Sequence, residues 1–142
     1  MMNAVLALIL LFGLHVFADF HLQGILASMK QRAWWREQQA KEKMPEQSFS
    51  IYDNDYKVAM WVHAFEWAFV TYLPVFVVCV MHRDRLDMTW VYVVLLATNV
   101  LWHKVVDDGK ANEGLLNLVF DQAMHVVQIV ITWIVWSGLY GW

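Results

Sequence analysis

The sequence predicts an all-α polytopic membrane protein, a four-transmembrane-helix up-down bundle with an additional interfacial helix in the first loop. The first observation is composition: 60% of the 142 residues are hydrophobic and 16% are charged, whereas soluble domains are about half apolar and a quarter charged. The second is a set of four apolar stretches that approach the roughly 20 residues needed to cross a bilayer core. The third is a histidine close to a carboxylate near one end of each stretch.

The apolar stretches define the predicted elements. A single membrane domain covers residues 1–142, with transmembrane helices at approximately 3–22, 57–81, 88–108 and 115–138. The first is expected to be a retained helix rather than a cleaved signal, because it lacks a basic leading region and carries His15 and Asp19 where a cleavage motif would stand. The second contains Pro74, which is expected to kink the helix and is tolerated in a membrane span.

The connections between these helices differ in length. The first, 24–57, is long and polar, and its helical part at approximately 25–44 contains two adjacent tryptophans among lysines and arginines. That composition is typical of a helix lying in the lipid headgroup region, and a solvated loop helix is the alternative. The second and third connections, 82–87 and 108–114, are short and polar. Consecutive segments should therefore be antiparallel neighbours.

The distribution of basic residues predicts the orientation. Two of the ten lysines and arginines, Arg83 and Arg85, lie in the second connection, and the other eight lie in or beside the first and third. The positive-inside rule then places the first and third connections in the cytoplasm and both termini outside.

Charge and cysteine content exclude other classes. The net charge of -3 is small and mixed in sign, which argues against a nucleic-acid partner and leaves the lipid bilayer as the expected one. The single cysteine, Cys79, lies in the middle of a segment and cannot form an internal disulfide.

Each segment carries polar residues at helical spacing. Asn99, His103 and Asp107 recur every four residues and share one helix face, with Lys110 a turn beyond. The other three segments carry the sets His15, Asp19 and Gln23; His63 and Glu66; and Asp121, Gln122 and His125. An up-down arrangement brings all four sets to the cytoplasmic face of the membrane. Because ionisable groups in a membrane are costly and need partners, these sets predict one functional site.

Inward-facing histidines and carboxylates from several helices are how metal sites are built in helix bundles. A nitrogen and oxygen ligand set without thiolate suits zinc, with iron or manganese as alternatives. The predicted metal ligands are His15, Asp19, His63, His103, Asp107, Asp121 and His125. Glu66, as the base, and Lys110 are the predicted catalytic residues. Gln23, Asn99 and Gln122 are predicted to orient ligands or contact a substrate.

The spaced polar motifs form one pattern: His15-x-x-x-Asp19-Phe-x-Leu-Gln23, His63, His103-x-x-x-Asp107 and Asp121-Gln122-x-x-His125. This pattern resembles a bacterial and phage family of small polytopic membrane proteins, domain of unknown function 3307. The long insert at 24–57 is less typical of that family. The resemblance implies an integral protein of a bacterial inner membrane, phage or prophage encoded, and it implies no activity.

The first functional hypothesis is a membrane-embedded metal-dependent hydrolase. About three protein ligands would leave an open metal position where water is activated, and the substrate would be lipid-borne or membrane-adjacent at the cytoplasmic face. An oxidative two-metal enzyme is a variant of the same site. The alternative is a structural or interaction protein whose polar cluster only stabilises the bundle. Proton or ion transport is less favoured, because the outer half of the segments is almost purely apolar.

Overall fold

The computed structural model describes residues 3–42 and 54–142. In these residues the chain forms helices and no strand, which confirms the all-α prediction for this part of the chain. The helices are α1 (Ala4–Phe17), which continues into a π-helical turn (Ala18–Leu22), α2 (Leu26–Met29), α3 (Arg32–Lys41), α4 (Asp55–Thr71), α5 (Leu73–Met81), α6 (Leu86–Ala111) and α7 (Leu118–Leu139).

Three helices in the described ranges are long and apolar enough to cross a membrane: α1 with its π-helical turn, α6 and α7. The second predicted segment is two helices, α4 and α5, which meet at 58° and are long enough to cross only as a pair. The kink expected at Pro74 is present, with the proline in the first turn of α5, where its missing N–H is tolerated. Helix α6 extends beyond the predicted 88–108 at both ends, and α7 begins at Leu118 rather than at 115.

The four segments pack side by side. Contacts between segments adjacent in the chain run in opposite sequence directions, so these segments are antiparallel. The Cys79 thiol near the end of α5 lies 3.7 Å from the carbonyl oxygen of Met88, at the start of α6. The Trp133 indole near the end of α7 donates to the carbonyl of Ala4 at 2.9 Å, so the first and last helices are neighbours as well. Each segment therefore contacts at least two others.

Polar side chains lie inside this arrangement, and many large apolar side chains lie outside. Buried polar residues include four histidines and three aspartates. Valines and isoleucines on the outer faces are more than half exposed, among them Val5, Ile9, Val94, Val105 and Ile134. Water-soluble proteins expose single apolar side chains, whereas a large exposed apolar surface marks an interaction site. The arrangement is consistent with a membrane protein.

The described part of the predicted interfacial helix at 25–44 is two short helices, α2 and α3, rather than one; its last two residues lie outside the described ranges. The break falls at Lys30, whose carbonyl accepts a hydrogen bond from Asn112 Nδ2 at 3.1 Å. Asn112 Oδ1 accepts the backbone N–H of Arg32 at 2.8 Å. Arg32 also donates to the Tyr56 hydroxyl at 2.7 Å, which raises the pKa of the guanidinium. These contacts fix the loop against the end of α6 and leave Lys30 buried.

Candidate metal centre

Seven buried ionisable side chains meet in the interior at one end of the four segments. We call them the His/Asp cluster: His15, Asp19, His63, His103, Asp107, Asp121 and His125. All seven are at most 6% exposed. They are the seven predicted metal ligands, and they come from α1, its π-helical turn, α4, α6 and α7. The spacing within each helix and the antiparallel packing bring them to one level.

Asp107 lies at the centre of the cluster. Its Oδ2 is 3.2 Å from His63 Nε2 and 3.7 Å from His103 Nε2, and its Oδ1 is 3.3 Å from His125 Nε2. The Nε2 atoms of His63 and His103 are 3.1 Å apart. Tetrahedral zinc with bonds of about 2.0–2.1 Å places its ligand atoms about 3.3 Å from one another. The spacing of these nitrogen and oxygen atoms therefore fits a bound ion.

Two groups of three side chains offer ligand atoms within 4.8 Å of one another. One group is Asp19, His63 and His103, and the other is His103, Asp107 and His125. Three protein ligands are the number that a catalytic zinc site uses, with the fourth position left for water or substrate. These buried groups could hold a metal ion.

Several polar atoms of the cluster have no hydrogen-bond partner within the described ranges: His103 Nδ1, Asp121 Oδ1, and both ring nitrogens of His125. His125 Nε2 lies 3.3 Å from Asp107 and 3.4 Å from Asp121 without forming a hydrogen bond to either. An unpaired buried polar atom costs about 1–3 kcal/mol. A cation between His125 Nε2 and the two carboxylates would pair with that nitrogen and with Asp121 Oδ1. It would not reach His125 Nδ1, which lies on the other side of the ring.

Trp67 orders the imidazoles. Its ring stacks on His103 with centroids 4.1 Å apart, and His103 stacks on His125 at 4.2 Å. The indole N–H donates to His15 Nδ1 at 2.9 Å. Since a neutral imidazole carries one proton, the proton of His15 is on Nε2. His15 therefore lies beside the two ligand groups and belongs to neither.

Two lysines neutralise carboxylates of the cluster. Lys30 Nζ is 2.5 Å from Asp107 Oδ2, and Lys110 Nζ is 2.6 Å from Asp121 Oδ2. Lys110 is a predicted site residue, whereas Lys30 falls within the predicted interfacial helix at 25–44, outside the predicted site. The contact that fixes Lys30 comes from Asn112, 82 residues away. Spacing along one helix gives no signal for such a contact.

Asp19 faces an open cavity. Gln23 Nε2 donates to its Oδ1 at 2.8 Å and Gln122 Nε2 donates to its Oδ2 at 2.7 Å. The π-helical turn that contains Asp19 is a distortion common at functional sites. The cavity has a volume of about 360 Å³, and the polar side chains that line it are Asp19, Gln23, Lys30, Gln31, Asp107, Lys110 and Gln122. A path thus leads from the surface to two carboxylates of the cluster.

Glu66 lies apart from these residues. It is partly buried, it does not line the cavity, and the described contacts include no hydrogen bond or ion pair to it. The physical reason is helical geometry: Trp67, four residues after His63, takes the position directly above it on the inward face. The predicted base is therefore not placed next to the predicted ligands.

Asn99 belongs to a second polar layer beyond the cluster. Its Oδ1 accepts hydrogen bonds from the Tyr72 hydroxyl at 2.8 Å and from Thr132 at 3.3 Å, and its backbone carbonyl accepts one from Gln128 at 2.7 Å. All four side chains are buried. The side-chain polar groups of Asn99, Tyr72 and Thr132 pair within this layer, whereas Gln128 Oε1 has no partner in the described ranges. Three members of the layer were not predicted from the sequence, because each is an uncharged residue without a partner at helical spacing.

Comparison of the chain with family models, with curated proteins and with solved structures finds no match. The resemblance to the family of unknown function stays a prediction. Function is therefore inferred from the geometry of the site.

Proposed function

We propose that the chain is a four-helix up-down bundle in a bacterial inner membrane. The support is the set of three apolar helices with one bent pair, together with the apolar outer surface and polar interior. The excess of lysine and arginine in the first and third connections favours a cytoplasmic position for both, with the termini outside. This orientation would place the His/Asp cluster and its cavity at the cytoplasmic face.

Within the bundle we propose a divalent-metal centre, with zinc favoured and iron or manganese as alternatives. The ligand atoms would come from one of two groups that share His103, either His103, Asp107 and His125 or Asp19, His63 and His103, and within each group they lie within 4.8 Å of one another. We favour the first group, because it leaves the Asp19 carboxylate free. Imidazole nitrogens and carboxylate oxygens are ligands that all three metals accept. His125 Nε2, which lies 3.3 Å from Asp107 and 3.4 Å from Asp121, supports a cation at this position.

The observation that carries an enzymatic function is the cavity of about 360 Å³ that reaches Asp19 and Asp107. Structural metal sites are closed, whereas catalytic sites keep an accessible position. Phe20 and Leu118 on the cavity wall are 56% and 54% exposed, so the entrance has an apolar side. We propose a metal-dependent hydrolase that acts on a lipid-borne or membrane-adjacent ester.

Hydrolysis requires a proton acceptor and stabilisation of the leaving oxygen. A bound divalent ion supplies a Lewis acid and lowers the pKa of water toward 7. Asp19, held by Gln23 and Gln122, would accept a proton from the attacking water. The water oxygen bonds to the ester's electrophilic atom as the bond to the leaving oxygen breaks, and that oxygen takes a proton from solvent. Lys110 would stabilise its developing charge, and Asp19 replaces Glu66 as the proposed base.

A structural role is the second candidate, and the two ion pairs favour it. Lys30 and Lys110 already neutralise two of the three carboxylates, so the cluster could hold the segments together without a metal. Proton or ion transport has less support, because the core on the far side of the Asn99 layer is packed with apolar residues such as Val75 and Trp136.

Elemental analysis of the full chain, purified in detergent, tests this proposal. We expect about one zinc per chain, and release of a soluble headgroup or fatty acid when bacterial lipid extract is added. His103→Ala should abolish both, whereas His82→Ala, at an exposed histidine of the second connection, should retain both. A metal-free protein would refute the metal centre, and iron would favour the oxidative variant. Stoichiometric zinc without any turnover, with loss of thermal stability on chelation, would instead establish the structural role.

A further inference from the structure

The cavity above the His/Asp cluster contains two lysine ammonium groups. Lys30 is 9% exposed, and burial of an ammonium group is costly unless a carboxylate pairs with it. Lys30 and Lys110 both line the cavity, and each pairs with a carboxylate that lies within the cluster. Two ammonium groups at the entrance of the proposed metal centre indicate that the cavity can bind an anion.

The charges of the site can be counted. The three carboxylates Asp19, Asp107 and Asp121 and the two ammonium groups of Lys30 and Lys110 leave one net negative charge when the histidines are neutral, as metal binding requires. A divalent ion changes this to one net positive charge. One further negative charge, that of a phosphodiester, would make the buried site neutral.

We infer that this cavity binds a singly charged phosphodiester and that Lys30 and Lys110 contact its anionic oxygens. This inference rests on the proposed metal centre and names the substrate class for it. A metal ion bound to the carboxylates would weaken their ion pairs with the lysines. The ammonium groups could then form ion pairs with the phosphate. Gln23 and Gln122 supply amide donors at the same wall of the cavity.

The walls of the cavity favour a lipid as the source of the phosphate. Phe20, Ala27 and Leu118 line it beside the polar groups, and Phe20 and Leu118 are more than half exposed on the apolar outer surface. A phospholipid headgroup can therefore lie against the lysines while its acyl chains stay in the bilayer. A soluble phosphate ester would use the charged groups only.

Titration calorimetry on the zinc-loaded full chain, in a phosphate-free maltoside detergent, tests the inference. The probes are dihexanoylphosphatidylglycerol, dihexanoylglycerol and inorganic phosphate. We expect the phosphodiester lipid to bind at least tenfold more tightly than the neutral diglyceride. Lys30→Met and Lys110→Met should each weaken that binding about tenfold without weakening zinc binding, since removing a positive charge beside a carboxylate ligand does not disfavour a cation there. The matched control is Lys104→Met, since Lys104 pairs with Asp108 at 2.9 Å and does not line the cavity.

The outcomes separate this inference from the proposed function. Zinc binding with equal affinity for the lipid and the diglyceride would overturn the phosphodiester site and leave the metal centre intact. Failure to bind zinc would overturn the metal centre itself, and the inference with it. Inorganic phosphate binding as tightly as the lipid would support the anion site and assign it to a soluble phosphate. If Lys30→Met does not fold, the half-buried Lys110 decides the result alone.

Discussion

Asp107→Asn should abolish tight zinc binding. The substitution keeps the size and shape of the side chain but removes the negative charge that lies 3.2–3.7 Å from three imidazole nitrogens. Loss of a group that only orients a metal ligand costs about 10–100-fold in affinity. Asp107 is proposed to contact the metal directly, so we expect a loss above about 100-fold, or about 2.7 kcal/mol.

The same substitution should destabilise the metal-free protein, because it leaves the buried ammonium of Lys30 without its carboxylate. Removing one partner of a buried ion pair costs about 3–5 kcal/mol. Asp108→Asn is the matched control, since its carboxylate pairs with Lys104 while both side chains are 22–23% exposed. Pairs of that kind contribute about 0.3–0.5 kcal/mol.

The assay is a zinc titration of each variant against a chelator of known affinity, with thermal unfolding of the metal-free samples measured in parallel. We require the same helical content and a single gel-filtration peak for both variants. Zinc affinity of Asp107→Asn within threefold of the unchanged protein would refute the assignment of this carboxylate to the metal. Equal losses in both variants would mean that the charge of the whole region, rather than the cluster, controls binding.

Two further predictions concern packing and topology. Tyr72→Phe should lose the hydrogen bond to Asn99 and about 1 kcal/mol of stability, seen as a lower midpoint of thermal unfolding. Tyr92→Phe should not, because its buried hydroxyl has no partner in the described ranges; equal midpoints would contradict the role of the Asn99 layer. In a background without the native cysteine, Glu113→Cys should be labelled only from the cytoplasm and Asp84→Cys only from outside, and the reverse pattern would invert the proposed orientation.

The helices and the seven positions of the cluster could be predicted from sequence because each depends on local spacing. A histidine and a carboxylate four residues apart share a helix face whatever surrounds them, as His103 and Asp107 do. Short connections then impose antiparallel packing, which brings the histidine and carboxylate of each segment to the same level along the bundle. Apolar length alone identified the candidate spans, and the 58° bend makes α4 and α5 a candidate span only as a pair.

The contacts that could not be predicted are those between distant parts of the chain. Lys30 reaches Asp107, 77 residues away, only because α2 ends there and Asn112 fixes the backbone. Glu66 was predicted to join the cluster and does not. It comes one residue before Trp67, which occupies the inward face, and one residue corresponds to a rotation of about 100° around the helix. The spacing of His63 and Glu66 cannot show whether Glu66 lies beside the cluster or is rotated away from it, since residues three and four positions apart can both share a helix face.

The two oxygens of Asp107 explain why metal binding and anion binding can be tested separately. Oδ2 faces Lys30, His63 and His103, whereas Oδ1 faces His125. A cation held through Oδ1 would not have to displace the ammonium from Oδ2. Removing the charge of Lys30 takes a repulsive charge away from the metal, so it should not weaken zinc binding, whereas it should weaken binding of the anion. Weaker zinc binding in Lys30→Met would contradict separate binding of metal and anion, and would mean that the lysine holds Asp107 in place for the metal.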